Sequence, residues 1–241
     1  MSRISLLGVP IDAVTQKEAV AQIRAMLSKQ GQHHVMTPNS EMLVEAHRNR
    51  PFHLLLQKTS LNLPDSAGLL WAVRWTGQHL PERVTGVDTV QALCEELAEQ
   101  DPVFLLGAAE GIAARAAKKL QEKNPKLRIA GTYAGSPREE DAAAITQRIH
   151  ASGAKLLLVA FGAPKQDMWI DRHLARMPNV HVAMGIGGTF DFLAGTQKRA
   201  PSFLRSLRLE WIWRLLLQPS RIGRIFTAVV KFPLLIMRYG Q

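Results

Sequence analysis

Short apolar runs, rich in leucine and β-branched residues, alternate along this chain with longer stretches in which apolar positions recur every three or four residues. Runs of the first kind predict strands over Ile4–Val9, His34–Thr37, Val103–Gly107, Arg128–Thr132 and Lys155–Phe161. Stretches of the second kind predict helices over Lys17–Leu27, Ser40–Arg48, Ile112–Leu120, Glu139–His150 and Gln166–Leu174. The run Leu156-Leu157-Leu158-Val159-Ala160 has no polar face, as a strand covered on both sides requires. Strand and helix in repetition predict an α/β fold, a Rossmann-like open and largely parallel sheet with helices on both faces. Ligands of such sheets bind beyond the carboxyl ends of the strands, where the winding reverses. The chemistry is therefore expected at Thr37-Pro38-Asn39, Pro64-Asp65-Ser66, Gly107, Gly162 to Gln166, and Gly185 to Asp191. Small residues there let a backbone approach a phosphate or ribose, and the helix N-termini that follow offer free N–H donors, so a nucleotide-containing ligand is expected.

The pattern changes after Gly195. A length of 241 residues suits one sizeable core with an appendage, here divided as a 1–195 α/β core and a 196–241 helical appendage. The appendage holds nine of the chain's 30 Lys and Arg residues and one of its 20 acids, Glu210, leaving a body whose 21 basic and 19 acidic residues nearly cancel. The basic residues are interleaved with Phe203, Trp211, Trp213, Phe226, Phe232 and Tyr239. On a helix, Arg214, Arg221, Lys231 and Arg238 would gather along one stripe. A segment both cationic and oily favours lipid headgroups or a lipid-linked substrate over nucleic acid. It is too short to span a bilayer: Ile225–Met237 is thirteen residues with Lys231 inside, against the roughly 20 a span needs. Helices lying on a membrane surface are expected, broken or kinked at Pro219 and Pro233, with Ser220 as an N-cap. The competing reading is a helical pair docked on its own core with a solvated basic face. A secretory leader is not evident in Met1–Val14, so the expected location is cytoplasmic, peripheral on the inner face of the membrane. Cys94, the single cysteine, excludes internal disulfides and reads as a buried small hydrophobe.

Each motif has an ordinary structural explanation beside its functional one. Gly185, Gly187 and Gly188 lack the third glycine of a dinucleotide fingerprint and follow a late strand, so a nicotinamide-dependent oxidoreductase has only fold-level support; no Walker A pattern occurs. Asp65 is either a helix N-cap or a general base that draws a proton from a sugar hydroxyl. Thr37 and Asn39 are either turn residues or groups that orient the same substrate, and Gln166 can bond a sugar or phosphate. The chain has no Asp-x-Asp and no pair of histidines at i, i+4, so neither a metal site nor a cofactor is expected. A departing diphosphate would then be met by helix N-termini and by Arg or Lys side chains.

Taken in order, Thr37-Pro-Asn39, Pro64-Asp65, Arg83-Val-Thr-Gly-Val-Asp88, Phe161-Gly-Ala-Pro-Lys-Gln166, Gly185-Ile-Gly-Gly-Thr-Phe-Asp191, Lys198-Arg-Ala-Pro201, Leu209-Glu-Trp211 with Arg214, and Gln218-Pro-Ser-Arg221 closely resemble the WecG/TagA/CpsF glycosyltransferase family. The resemblance covers nearly the whole chain. It implies an inverting, metal-independent transferase that moves a sugar, commonly of N-acetylmannosamine type, from a UDP-sugar to a polyprenyl-diphosphate-linked acceptor. It makes Asp65 the base, with Thr37, Asn39 and Gln166 beside the transferring sugar. The nucleotide side is expected to comprise Gly107, Gly162, Lys165, Gly185, Gly187, Gly188 and Asp191, with Arg214, Arg221 and Arg224 of the appendage closing over the diphosphate. Where the family usually has Gly after the Pro-Asp aspartate this chain has Ser66, and Asp167 stands where many members carry Glu. The rival class is a nucleic-acid-binding α/β module that grips its ligand with the basic tail; against it, the tail is rich in Leu, Ile and Trp and poor in Gly and Ser. Self-association into a homo-oligomer, the donor hexose and the polymer made are left open.

Overall fold

A computed structural model describes residues 2–201, 204 and 210–239; of Glu210 and Arg214 only the backbone is described. The chain opens with an antiparallel hairpin, β1 (Arg3–Leu6) and β2 (Val9–Asp12), which pair Leu6 with Val9. The single strand expected over Ile4–Val9 is thus two: Leu7 and Gly8 both take positive φ, 55° and 75°, the backbone of a two-residue hairpin turn. The hairpin forms a sheet of its own, tied to the edge of the main sheet where Asp12 accepts the Asn62 N–H at 2.7 Å.

That sheet has six parallel strands in the order β4-β3-β8-β7-β5-β6. They are β3 (His33–Met36), β4 (Leu61–Asn62), β5 (Val103–Gly107), β6 (Ile129–Tyr133), β7 (Leu156–Ala160) and β8 (Val182–Gly185). Connecting them are α1 (Gln16–Ser28), α2 (Ser40–Arg48), α3 (Arg50–Lys58), α4 (Ala67–Trp75), α5 (Gly86–Glu96), α6 (Ile112–Lys123), α7 (Glu139–Ala151) and α8 (Lys165–His173), and α9 (Thr189–Leu193) follows β8. Short polar residues start several helices as the capping rules lead one to expect: Thr15 forms a reciprocal capping box with Glu18, and Asn39, Asn49, Ser66 and Thr85 each accept a backbone N–H.

Alternation along the central strands divides the core. Leu156 and Leu158 of β7 face a cluster with Ile23, Leu93, Leu120 and Phe190, while Leu157 and Val159 face Ile145, Ile149, Trp169 and Ile170. Cys94 packs in the first cluster; burial, helped by the charge of Glu95, pushes its thiol up to about 12. A third cluster joins the hairpin to α2, α3 and α4 through Leu6, Leu43, Phe52, Leu55, Leu56 and Leu69.

The appendage continues as α10 (Glu210–Leu217), a 3-10 turn at Pro219–Arg221, α11 (Ile222–Phe226), a π-helical turn at Thr227–Lys231, and α12 (Phe232–Tyr239). Pro219 does break the run, but Ser220 lies within the 3-10 turn and caps nothing: Arg221 holds the N-cap position of α11 and makes no side-chain cap. The break also means that Arg214 and Arg221 do not share one helical stripe. Pro233 sits in the first turn of α12, directly after the π-helical turn. Phe232 and Ile236 are buried in the third cluster, so the end of the appendage docks on the core, while Leu216, Ile222, Phe226 and Leu234 are exposed. Among the described residues no helix is long and apolar enough to cross a membrane.

Candidate active site

The winding reverses between β5 and β7: β5 leads outward to β6, whereas β7 leads the other way to β8. Gly107 ends β5 at that point with φ +106°, and a Cβ there would lie 2.7 Å from the Ala160 carbonyl carbon, so two backbones meet where only glycine fits. Beside it, the loops after β7 and β8 are tied together by Gln166. Its buried Oε1 accepts the N–H of Gly162 at 3.1 Å and of Gly187 at 3.0 Å. Gln166 therefore braces the glycine loops, and its carbonyl oxygen is committed to them. A Cβ at Gly185 would collide with the carboxylate of Asp167, which is fully buried with its Oδ1 3.6 Å from His34 Nε2. Lys165 is exposed in the first turn of α8, Gly188 is exposed at the N-cap position of α9, and Asp191 is half-buried in α9, its main-chain oxygen accepting the Thr196 hydroxyl at 3.0 Å.

Next along the same edge stand Thr37 and Asp65. The Thr37 hydroxyl donates to the Gly185 carbonyl at 3.3 Å, and Asp65 Oδ2 accepts the Gly86 N–H at 3.1 Å. Gly86 lies between them: a Cβ on it would sit 3.5 Å from the Thr37 methyl and 3.6 Å from Asp65 Oδ2. Asp65 is not the cap of α4. Ser66 is, accepting the Leu69 N–H at 3.3 Å, and its hydroxyl also accepts the Ser40 N–H at 3.3 Å. Ser66 thus ties the start of α4 to the start of α2, where Asn39 caps the helix by accepting the Met42 N–H at 3.1 Å.

Asp65 and Asn39 open into a cavity of about 480 Å³ between the core and the appendage. Four arginines line it, Arg83 of the core and Arg199, Arg221 and Arg224 of the appendage, with Trp71, Trp211, Ile225 and Val229 as apolar walls. The structure therefore brings Asp65, Asn39, Arg221 and Arg224 together in one cavity, and sets Thr37 against Gly86 beside it. Gly107, Gly162, Gly185, Gly187 and Gln166 form a neighbouring glycine edge. The Arg214 side chain lies outside the described residues. Arg199 reaches Asp88 in a two-pronged pair, Nη1 to Oδ1 at 2.6 Å and Nη2 to Oδ2 at 3.1 Å. Burial raises the Asp88 pKa, but hydrogen bonds from Arg199 and Thr85 and the charges of Arg199 and Arg83 outweigh it and hold the carboxyl below its ordinary value. Arg224 Nε pairs with Glu41 at 2.6 Å, and both residues line the cavity.

Sequence reasoning assigned no role to Glu41, Trp71, Arg83, Asp88 or Arg199. The Arg83-to-Asp88 and Lys198-to-Pro201 motifs marked three of them; Trp71 and Glu41 carried no local signal. Among the described residues no three His, Cys, Asp or Glu side chains gather closely enough to hold a metal ion.

A family model described as Glycosyl transferase WecG/TagA/CpsF family matches residues 4–241. An N-acetylglucosaminyldiphosphoundecaprenol N-acetyl-beta-D-mannosaminyltransferase of Bacillus spizizenii is 32% identical over 204 residues, covering 82% of this chain and 78% of the relative. A protein of the same name from Staphylococcus aureus is 29% identical over 228 residues, covering 93% and 88%. These matches give the nucleic-acid-binding alternative no support.

Proposed function

Because the chain belongs to the WecG/TagA/CpsF family of glycosyl transferases, we propose that it moves an N-acetylmannosamine-type sugar from a UDP-sugar to an N-acetylglucosaminyl-diphospho-polyprenol acceptor. The acceptor class follows the names of the relatives. The observation that carries the reading is a carboxylate, Asp65, opening into one cavity with four arginines. Asp65 takes the proton of an acceptor hydroxyl while that oxygen attacks the anomeric carbon; the bond from that carbon to the UDP oxygen breaks, and UDP leaves with the electron pair. Displacement in one step inverts the anomeric centre. The arginines of the cavity meet the charge on the leaving diphosphate, without a metal or other cofactor. Residues 196–241 act as an appendage that completes the cavity and rests on the cytoplasmic face of the membrane, where the acceptor resides.

A panel of UDP-sugars and NAD, read by thermal shift and followed by transfer to a synthetic lipid-diphosphate N-acetylglucosamine, tests this. Stabilisation by UDP and its sugars together with a disaccharide product is expected. Stabilisation by NAD alone, or no transfer from any UDP-sugar, would overturn it.

A further inference from the structure

We propose that the exposed aromatic surface of Trp71 and Trp75 on α4, which runs from the cavity of Asp65 to a second cavity at the far ends of α4 and α12, is a subsite for the isoprenoid chain of the acceptor; this rests on the transferase reading above. A Cβ on Gly68, at the start of α4, would lie 3.6 Å from the ring of Phe232, at the start of α12. Trp71, one turn beyond Gly68, and Pro233, next to Phe232, line the cavity of Asp65. At the far ends of the same helices, Trp75 and Tyr239 line a second cavity of about 680 Å³ with Leu7, His47 and small polar residues. The two helices therefore run side by side in the same sense. Trp71 and Trp75 stack with ring centroids 5.7 Å apart and planes 23° from parallel, so one aromatic surface joins the two cavities. Trp75 is 59% exposed. A stacked, exposed tryptophan pair is a costly thing to leave in water, and a branched, unsaturated hydrocarbon fits its faces.

The order of groups in the acceptor gives the direction. Its sugar, diphosphate and isoprenoid are joined in that sequence, so with a sugar hydroxyl at Asp65 the acceptor diphosphate shares the four cavity arginines with that of UDP, and the first isoprene units reach Trp71. The chain then leaves along Trp75, away from the glycine edge.

The test compares kcat/KM for N-acetylglucosamine-diphosphate acceptors bearing a geranyl or a long polyprenyl chain. The wild-type protein is expected to prefer the long acceptor, and Trp75→Ala to reduce that preference about tenfold, equivalent to roughly 1.4 kcal/mol, with Trp75→Phe retaining most of it. Tyr239→Ala, in the second cavity beside Trp75, should reduce the preference in the same direction and serves if Trp75→Ala folds poorly. An unaltered preference in both variants would overturn the subsite. So would loss of binding to acceptor-free vesicles with the preference intact, because the pair would then anchor the bilayer instead. Absence of transfer to every acceptor would sink the transferase reading, and the subsite with it.

Discussion

The glycine edge and the arginine cavity lie side by side but are built differently. Gly107, Gly162, Gly185 and Gly187 are fixed by the sheet, by close backbone approach and by one buried glutamine. The cavity is closed by an appendage whose contacts with the core, among the described residues, include the buried side chains of Phe232 and Ile236, the exposed Arg224–Glu41 pair and the two-pronged Arg199–Asp88 pair. One half is preformed with the core; the other is assembled when a helical segment docks. Chemistry that requires both halves is therefore sensitive to docking in a way that donor binding is not.

The most severe way to break the comparison is Asp65→Asn, which removes the proton acceptor and leaves both halves in place. Turnover should fall about 10³-fold with UDP affinity preserved, as single-turnover assays and calorimetry would report; near-normal turnover would take Asp65 out of that role. Next comes Phe232→Ala, expected to remove roughly 3–5 kcal/mol of packing. Transfer should collapse and the appendage should become open to limited proteolysis, whereas UDP binding at the glycine edge should survive. Loss of both together would show that the two halves form one cooperative unit. Gln166→Ala attacks the other half: two half-buried N–H groups lose their acceptor, each costing at most about 1–3 kcal/mol. Its signature should be a raised donor KM with acceptor KM little altered.

Asp88→Asn should be the mildest, about 1 kcal/mol, since the pair with Arg199 is partly solvated. The sign is set by a lowered folded-state pKa: the Asp88 contribution is fully present above the ordinary aspartate value, roughly pH 4, and is lost as pH falls through the lower folded value. Acid melts of the variant should accordingly show a shallower decline than the wild type over that window.

The sheet was legible because buried parallel strands read as unbroken apolar runs, and β7 is recovered nearly residue for residue. The hairpin was not, because Leu7 occupies a positive-φ position that its side chain does not advertise. At the site, Asp65 could be found from its place after a strand. Arg199 could be placed only through a partner 111 residues away and Arg224 through one 183 residues away, and no local pattern carries such distances. The stacked tryptophans had the i, i+4 spacing of any helical face, which does not tell a buried stripe from an exposed one.

The Glu41–Arg224 bridge gives the cavity a chemistry of exchange. A guanidinium that already grips a carboxylate with its Nε must release or share that partner before it can clasp an incoming phosphate. Being solvent-exposed, the bridge is weak enough for a doubly charged visitor to win. Entry of the polyanion would then trade one anion for another at the same fork, and Glu41 would be a placeholder that keeps the fork aligned between turnovers.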